Sequence, residues 1–212
     1  RTRRAMHQSS LDNMQAMIDR HLGKLTDRLG RAGVAFDIGS YDINGSYKPL
    51  IIEHGWAYQG LDIEPGPNVD RVMASPYRLP LKTGEADLII SGQAFEHIEY
   101  FWLTFLEMVR ALRPGGMIFL LAPSRGPEHR HPVDCWRFYR DGFEALARWG
   151  QVELVEASTA WTPVDPGNGD SDWGDTIGVF RHHRFGPVQR IKDRARSAGA
   201  RLLAARRPAG DA

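Results

Sequence analysis

The sequence predicts an α/β protein built on one open, mostly parallel sheet, and three observations predict it. Residues 34–52 read as a strand ending near an acid, a loop of small residues and a helix start. Val34-Ala35-Phe36-Asp37-Ile38 runs into Gly39-Ser40-Tyr41-Asp42-Ile43-Asn44-Gly45-Ser46, and an apolar segment resumes through Lys48, Leu50, Ile51 and Ile52. Short apolar runs and amphipathic segments then alternate as far as residue 121. Two late apolar runs, 152–157 and 176–180, are joined by a Pro, Gly and Asp-rich loop without room for a crossover helix, which predicts an antiparallel hairpin at the sheet edge.

The elements follow in order. Ser9 or Ser10 is a candidate cap for a helix whose apolar positions Leu11, Met14, Met17, Ile18, Leu22 and Leu25 keep a helical repeat, with Gly30 and Gly33 bracketing its end. This helix is expected to lie across the sheet or over a ligand site. After the first strand and loop, 57–63 reads as a second strand ending in Asp62, with Pro65, Gly66 and Pro67 forcing a loop. A third strand is expected at 69–74, followed by the turn Ser75-Pro76-Tyr77-Arg78-Leu79-Pro80. The run 86–91 is short, continuous and apolar, the mark of a strand buried on both faces, and Gly92 and Gln93 follow it.

Residues 100–112 predict an amphipathic helix with Phe101, Phe105, Met108, Val109 and Leu112 on one side. It is expected to stop at Arg113-Pro114-Gly115-Gly116, before a fifth strand at 117–121. A further helix is expected over 141–149, so the count is seven strands with helices on both faces. The organisation reads as an N-terminal helical extension (1–32), a catalytic-type domain (33–180) and a basic C-terminal extension (181–212). That extension is arginine-rich, with only Ile191, Leu202 and Leu203 as an apolar stripe, and predicts a solvated terminal helix. An anionic partner or membrane surface is the sharper alternative.

At 212 residues the chain can bury a full core as one domain, and its net charge of +1 gives no overall pull toward nucleic acid. No apolar run reaches the length of a membrane span, and Arg1-Thr2-Arg3-Arg4 is not followed by a signal-peptide core. Cys135 is the single cysteine, so an intrachain disulfide is excluded. The expected location is the cytoplasm, and a homodimer is among the assemblies the sequence allows.

The loop after the first strand matches no phosphate signature. Tyr41 and Asn44 stand where a G-x-G-x-x-G fingerprint needs glycine, and Gly45-Ser46-Tyr47-Lys48 does not end in Gly-Lys-Ser/Thr. A nicotinamide-dependent oxidoreductase is disfavoured on that ground. Asp62, 25 residues beyond Asp37, has the spacing at which a nucleotide-binding α/β fold brings a carboxylate to two ribose hydroxyls.

With these elements placed, residues 33–180 resemble the class I S-adenosylmethionine-dependent methyltransferases. The likeness is to a bacterial small-molecule and saccharide branch that carries Asp-Ile-Gly-Ser-x-Asp-Ile-Asn-Gly-Ser, here 37–46, Arg-x-Leu-Arg-Pro-Gly-Gly, here 110–116, and a Tyr-Trp-Arg-Phe block, which Cys135-Trp136-Arg137-Phe138-Tyr139 resembles. The resemblance implies a Rossmann-like fold and S-adenosyl-L-methionine as cofactor. It implies that Asp37 holds the methionine part, that Gly39 lets the backbone approach it, and that Ser40 and Tyr41 flank it. It further implies Asp62 on the ribose, Ile63 over the adenine, Ser75 and Pro76 at the adenine edge, and Ser91, Gly92 and Gln93 beside the reactive methyl. Tyr41 stands where many members have a second glycine, and Ser75 where an aspartate commonly reads the adenine amino group.

Methyl transfer to an ordinary hydroxyl needs a base, a metal or both. Two stretches offer one: Phe95-Glu96-His97-Ile98 after strand four, and Pro127-Glu128-His129-Arg130-His131-Pro132-Val133-Asp134 after strand five. Candidate catalytic residues are therefore His97, Glu96, His129, His131 and Asp134, histidine being suited by a pKa near neutrality. Within the second stretch, the clustering of Glu128, His129, His131 and Asp134 could hold a divalent cation such as magnesium through oxygen and imidazole ligands, although no spacing is diagnostic. Trp136, Phe138 and Tyr139, with Trp102, Trp161 and Trp173, read as core packing or as the wall of a pocket for a ring-shaped acceptor. The expected reaction is O-methylation of a saccharide or similarly polar small molecule. N- or C-methylation of a small metabolite, and a cofactor-sensing scaffold without turnover, are the rivals.

Overall fold

The computed structural model describes residues 8–42, 45–160, 173–183 and 199. Ile43, Asn44, Trp161, most of the loop before the last strand and nearly all of the arginine-rich extension lie outside the described residues. The element order is α1 (Gln8–Leu29), β1 (Val34–Ile38), α2 (Lys48–Ile52), β2 (Ala57–Asp62), β3 (Arg71–Val72) and β4 (Ala86–Gly92). A 3₁₀ turn (Phe95–His97), α3 (Phe101–Ala111), β5 (Leu112–Arg125), α4 (Arg140–Gly150), β6 (Glu153–Thr159) and β7 (Gly174–Arg181) complete it.

These form one seven-stranded sheet in the order β3-β2-β1-β4-β5-β7-β6. The first five strands are parallel, whereas β7 runs antiparallel to both β5 and β6. Side chains alternate across a strand, so each central strand feeds two cores. Phe36, Ile38, Ile89, Ile118 and Leu120 face Phe105, Met108 and Val109 of α3 and Phe143 and Leu146 of α4. Ala35, Leu88, Ile90, Met117, Phe119 and Leu121 face the other way, onto Met14, Met17, Ile18, Leu22 and Leu25 of α1 and Ile51 of α2. The helical repeat read in α1 is thus its buried stripe, laid across β5 and β7.

Three local expectations change. Ser9 and Ser10 lie inside α1 rather than at its cap, and Ser10 is buried with its hydroxyl 2.8 Å from that of Tyr47. The third strand is only Arg71–Val72. Pro114, Gly115 and Gly116 do not separate helix from strand, because β5 starts directly at Leu112. The pair is kept in extended pairing by His182: Gly115 donates its amide to the His182 carbonyl, and His182 donates to that of Gly116. By contrast Gly30, at φ 68°, donates to the Thr26 carbonyl and ends α1 in the left-handed conformation expected of a C-terminal glycine.

Asp87, inside β4, anchors the edge opposite the functional loops. Its carboxylate is buried, accepts hydrogen bonds from both Arg31 guanidinium nitrogens at 3.1 Å and the Val34 amide at 3.1 Å, and forms an ion pair with Arg113, whose Nε is 2.7 Å away. Asp87→Ala strips three donors of their acceptor. We expect a loss of about 2–4 kcal/mol in urea-denaturation stability, below the full cost of a buried pair because both arginines reach solvent.

Candidate active site

The strand order reverses at β1, so the crevice beyond the carboxyl ends of β1 and β4 is where an open α/β sheet accepts a ligand. Gly39 turns out of β1 at φ 82°, and a Cβ there would stand 2.5 Å from that of Ala94, beyond β4. Only glycine lets the two loops approach this closely. Asp37, buried just before the turn, accepts a 2.6 Å hydrogen bond from the Tyr58 hydroxyl. Burial, with a smaller contribution from the Asp62 charge, pushes its carboxyl up to about 7 against the pull of that hydrogen bond.

Asn68 organises the same loop. Its side-chain amide donates to the Ser40 carbonyl and the Tyr58 hydroxyl, while the buried Ser40 hydroxyl donates back to the Asn68 carbonyl. Tyr41 lays its ring over Gly66, where a Cβ would strike it, and gives its amide to Asp62 at 3.0 Å. Asp62 also accepts the Glu64 amide at 3.2 Å, so its carboxylate is oriented at the end of β2 beside Ile63, which is 46% exposed. Asp42 accepts the Gly45 amide and closes the loop.

The remaining residues expected at this edge are tied as follows. The Ser75 hydroxyl caps the amide of Tyr77, and the Pro76 carbonyl accepts from Thr104. The Ser91 hydroxyl is buried and donates to the Ile38 carbonyl, so Ser91 joins β4 to β1 through its side chain. A Cβ on Gly92 would run into the Tyr47 ring. Gln93 adopts φ 55° and donates to Asp175 at 2.8 Å, and Asp175 also accepts from Asn13 of α1. Tyr58, Asn68, Tyr47 and Asp175 escaped the sequence reading.

A second constellation sits where the 3₁₀ turn meets the chain leaving β5. Cys135 donates its amide to the Glu96 carbonyl at 2.7 Å and draws the two segments together. His97 Nδ1 lies 2.6 Å from the Val133 carbonyl, an acceptor only, so Nδ1 carries the proton and Nε2 presents a lone pair. His129 Nδ1 faces two acceptors, Asp134 at 3.4 Å and the Pro127 carbonyl at 3.4 Å, which assigns its proton likewise. The His97 and His129 rings meet edge to face at 4.9 Å, and exposed His131 is 5.9 Å from His97. Burial lowers the pKa of both His97 and His129.

Glu96 is fully buried, and neither carboxylate oxygen receives a hydrogen bond from another described residue. Its Oε1 stands 3.6 Å from His97 Nε2 and 3.9 Å from His129 Nε2. Burial pushes the carboxyl up to about 8. Asp134 is the opposite case: Arg137 grips both its oxygens, at 2.6 and 2.8 Å, and holds it well below the usual carboxylate range. The structure therefore brings Glu96, His97, His129, His131 and Asp134 together. Glu128 is left on the surface, paired with Arg130.

The aromatic block divides. Phe138 is core, stacked among Phe95, Phe101 and Phe143, whereas Trp136 and Tyr139 are 38% and 48% exposed. Both border a groove with Phe101 and Arg137, the arginine that grips Asp134. Trp173 is buried edge-on against His129.

Residues 37–120 match a family model described as a methyltransferase domain. No curated protein sequence matches the chain. Among solved structures it is similar to a 1,6-didemethyltoxoflavin-N1-methyltransferase from Burkholderia thailandensis with bound 1,6-didemethyltoxoflavin and S-adenosylhomocysteine. The identity is 16%, with 84% of this chain and 91% of that chain covered and a TM-score of 0.57. A putative sarcosine dimethylglycine methyltransferase from Galdieria sulphuraria gives 16% identity, coverages of 84% and 92%, and a TM-score of 0.56. The geranyl diphosphate C-methyltransferase of Streptomyces coelicolor A3(2), solved with Mg²⁺, geranyl diphosphate and S-adenosylhomocysteine, gives 14% identity, coverages of 77% and 78%, and a TM-score of 0.53. With the strand order and the matched segment, these likenesses establish that the chain has the Rossmann-like fold of the S-adenosylmethionine-dependent methyltransferases.

Proposed function

We propose that the protein is an S-adenosylmethionine-dependent O-methyltransferase whose acceptor is a hydroxyl of a saccharide or similarly polar small molecule. The observation that supports oxygen over nitrogen or carbon is the cluster of Glu96, His97 and His129 where the turn after β4 meets the segment after β5, a polar group suited to relieving an acceptor of its proton. The carboxyl edge of the sheet fits the cofactor: a glycine turn at Gly39 that brings the β1 and β4 loops close together, a buried carboxyl at Asp37 for a cationic amino group, an oriented Asp62 for hydroxyls and an exposed Ile63 for an aromatic face. S-adenosylmethionine supplies the sulfonium methyl and its own leaving group. The chain's task is to hold the acceptor in line and to relieve it of its proton, of which alignment alone contributes roughly 7–11 kcal/mol.

Trp136 and Tyr139 support a ring-shaped acceptor, since exposed aromatics beside the cluster offer faces on which a sugar can stack. N- and C-methylation are the competing readings, favoured by what two of the similar structures are named for. Calorimetric titration with S-adenosylhomocysteine and, separately, NAD tests the cofactor. Binding of NAD with no response to S-adenosylhomocysteine would overturn the proposal. A cofactor-consumption screen of mono- and oligosaccharides against phenols and amines then tests the acceptor.

One substitution reads the cofactor side directly. Asp62→Ala removes two hydroxyl hydrogen bonds from the ribose and is expected to weaken S-adenosylhomocysteine binding by about 1.5–3 kcal/mol. Because Asp62 also steadies the Tyr41 amide, Asp62→Asn should recover only part of the loss. Unchanged affinity in both would take Asp62 out of the ribose site.

A further inference from the structure

We propose that Glu96, His97 and His129 form a binding site for a borderline divalent transition metal of the zinc or cobalt type, rather than for magnesium. One oxygen and two imidazole nitrogens, all within 4.8 Å of one another, converge from the 3₁₀ turn and from the segment after β5. Glu96 is the decisive member. A carboxyl that is fully buried, and that no other described residue hydrogen-bonds, either keeps its proton or needs a cation beside it, and the two inward-facing nitrogens next to it are the partners a cation would share. The two facing nitrogens stand too far off, at 3.6 and 3.9 Å, to be hydrogen-bonded to it. Ligand atoms about 2.1 Å from a common ion lie about 3.0–3.5 Å apart, so a small inward rotation of the side chains closes the site around a metal.

The surroundings are those of a ligand set. Each histidine has its Nδ1 engaged and its Nε2 lone pair turned inward: His97 through the Val133 carbonyl, His129 beside Asp134, itself fixed by Arg137. A second carboxylate or carbonyl behind each imidazole is how metal-binding histidines are oriented and made more basic. Two nitrogens and one oxygen suit zinc, cobalt or iron, whereas magnesium prefers an all-oxygen shell. That chemistry argues against the magnesium expected from the sequence.

The binding stands without the methyltransferase reading, and its use in catalysis rests on it. A cation here would draw the acceptor oxygen and raise the acidity of its hydroxyl. The O–H bond breaks with its proton passing to exposed His131. The oxygen's electron pair forms the new C–O bond, and the C–S pair returns to sulfur.

The test is titration of the metal-stripped full chain with Co²⁺ followed by its visible absorption, with competition by Zn²⁺ and Mg²⁺. The expected result is one saturable site, displaced by Zn²⁺ and not by Mg²⁺, that Glu96→Gln and His129→Ala abolish. Asp134→Asn, which leaves all three ligands, should weaken it about 10–100-fold. Cys135→Ser removes the one thiol, a nearby rival ligand, and should leave binding intact. Circular dichroism of each variant separates lost binding from lost fold. No saturable site in the folded chain, or a site that survives Glu96→Gln and His129→Ala, overturns the proposal. Metal binding without S-adenosylhomocysteine binding would sink the cofactor assignment and leave the metal site standing.

Discussion

Asp37→Asn is expected to stabilise the empty protein at pH 8 while weakening its hold on the cofactor. The Asp37 carboxyl moves from 3.8 in the unfolded chain to about 7 in the fold, because burial at the end of β1 penalises its charge more than the Tyr58 hydrogen bond relieves it. A carboxyl raised in the fold contributes its stability in full below about pH 4. Between about 4 and 7 the unfolded chain sheds the proton and the folded one retains it, so stability falls as pH rises. Above 7 the deficit is constant, with an upper limit of roughly 4 kcal/mol.

Asparagine keeps an oxygen for Tyr58 and carries no charge. The variant should therefore gain about 2–4 kcal/mol at pH 8, a Tm about 4–15 °C higher, and nothing near pH 4. The same change removes the partner of a cationic amino group, so S-adenosylhomocysteine should bind about 10–100-fold more weakly at pH 8. Thermal melts at the two pH values with one calorimetric titration decide it. A lower Tm at pH 8 would mean that Asp37 is ionised and internally paired in the empty protein. Stability held back at a binding carboxylate is a common cost of function.

Asp37 itself was legible, and its state was not. A strand-end acid before a glycine turn is a local pattern, as is Asp62 after β2. The raised carboxyl depends on burial in the assembled fold, and the hydrogen bond that opposes the rise comes from Tyr58, 21 residues away. The central strands were legible for a related reason. Parallel strands covered by helices on both faces are continuous apolar runs, and β4 is buried throughout.

Pro114-Gly115-Gly116 misled because stop signals are read locally, whereas the partner that keeps them extended, His182, follows β7, the sheet neighbour of β5 but far along the chain. In the candidate site the two histidine stretches were visible as chemistry and invisible as a pair. His97 meets Val133 across 36 residues, and Asn13 meets Asp175 across 162. The parallel pairing of β5 with β4 puts the first pair within reach, and the packing of α1 on β7 the second. The burial that strands the Glu96 carboxylate belongs to the assembled fold.

That stranded carboxylate leads to the second large effect. If Glu96, His97 and His129 serve methyl transfer through one shared ion, each single removal dismantles the same device. Glu96→Gln, His97→Ala and His129→Ala should each depress the single-turnover rate by about 10²–10⁴-fold, and the triple variant should be no slower than the worst single one. S-adenosylhomocysteine affinity should not change, because these side chains lie outside the β1 and β2 loops proposed to hold it. Were His97 acting alone as base, His129→Ala would keep most of the rate, and the double variant with His97→Ala would match His97→Ala. His131→Ala separates the proton's destination from the ion: it should slow transfer while Co²⁺ still binds with its full absorption. Equal losses at three positions, no further loss in combination, and a fourth position that loses rate but not metal form a pattern that a lone catalytic histidine cannot produce.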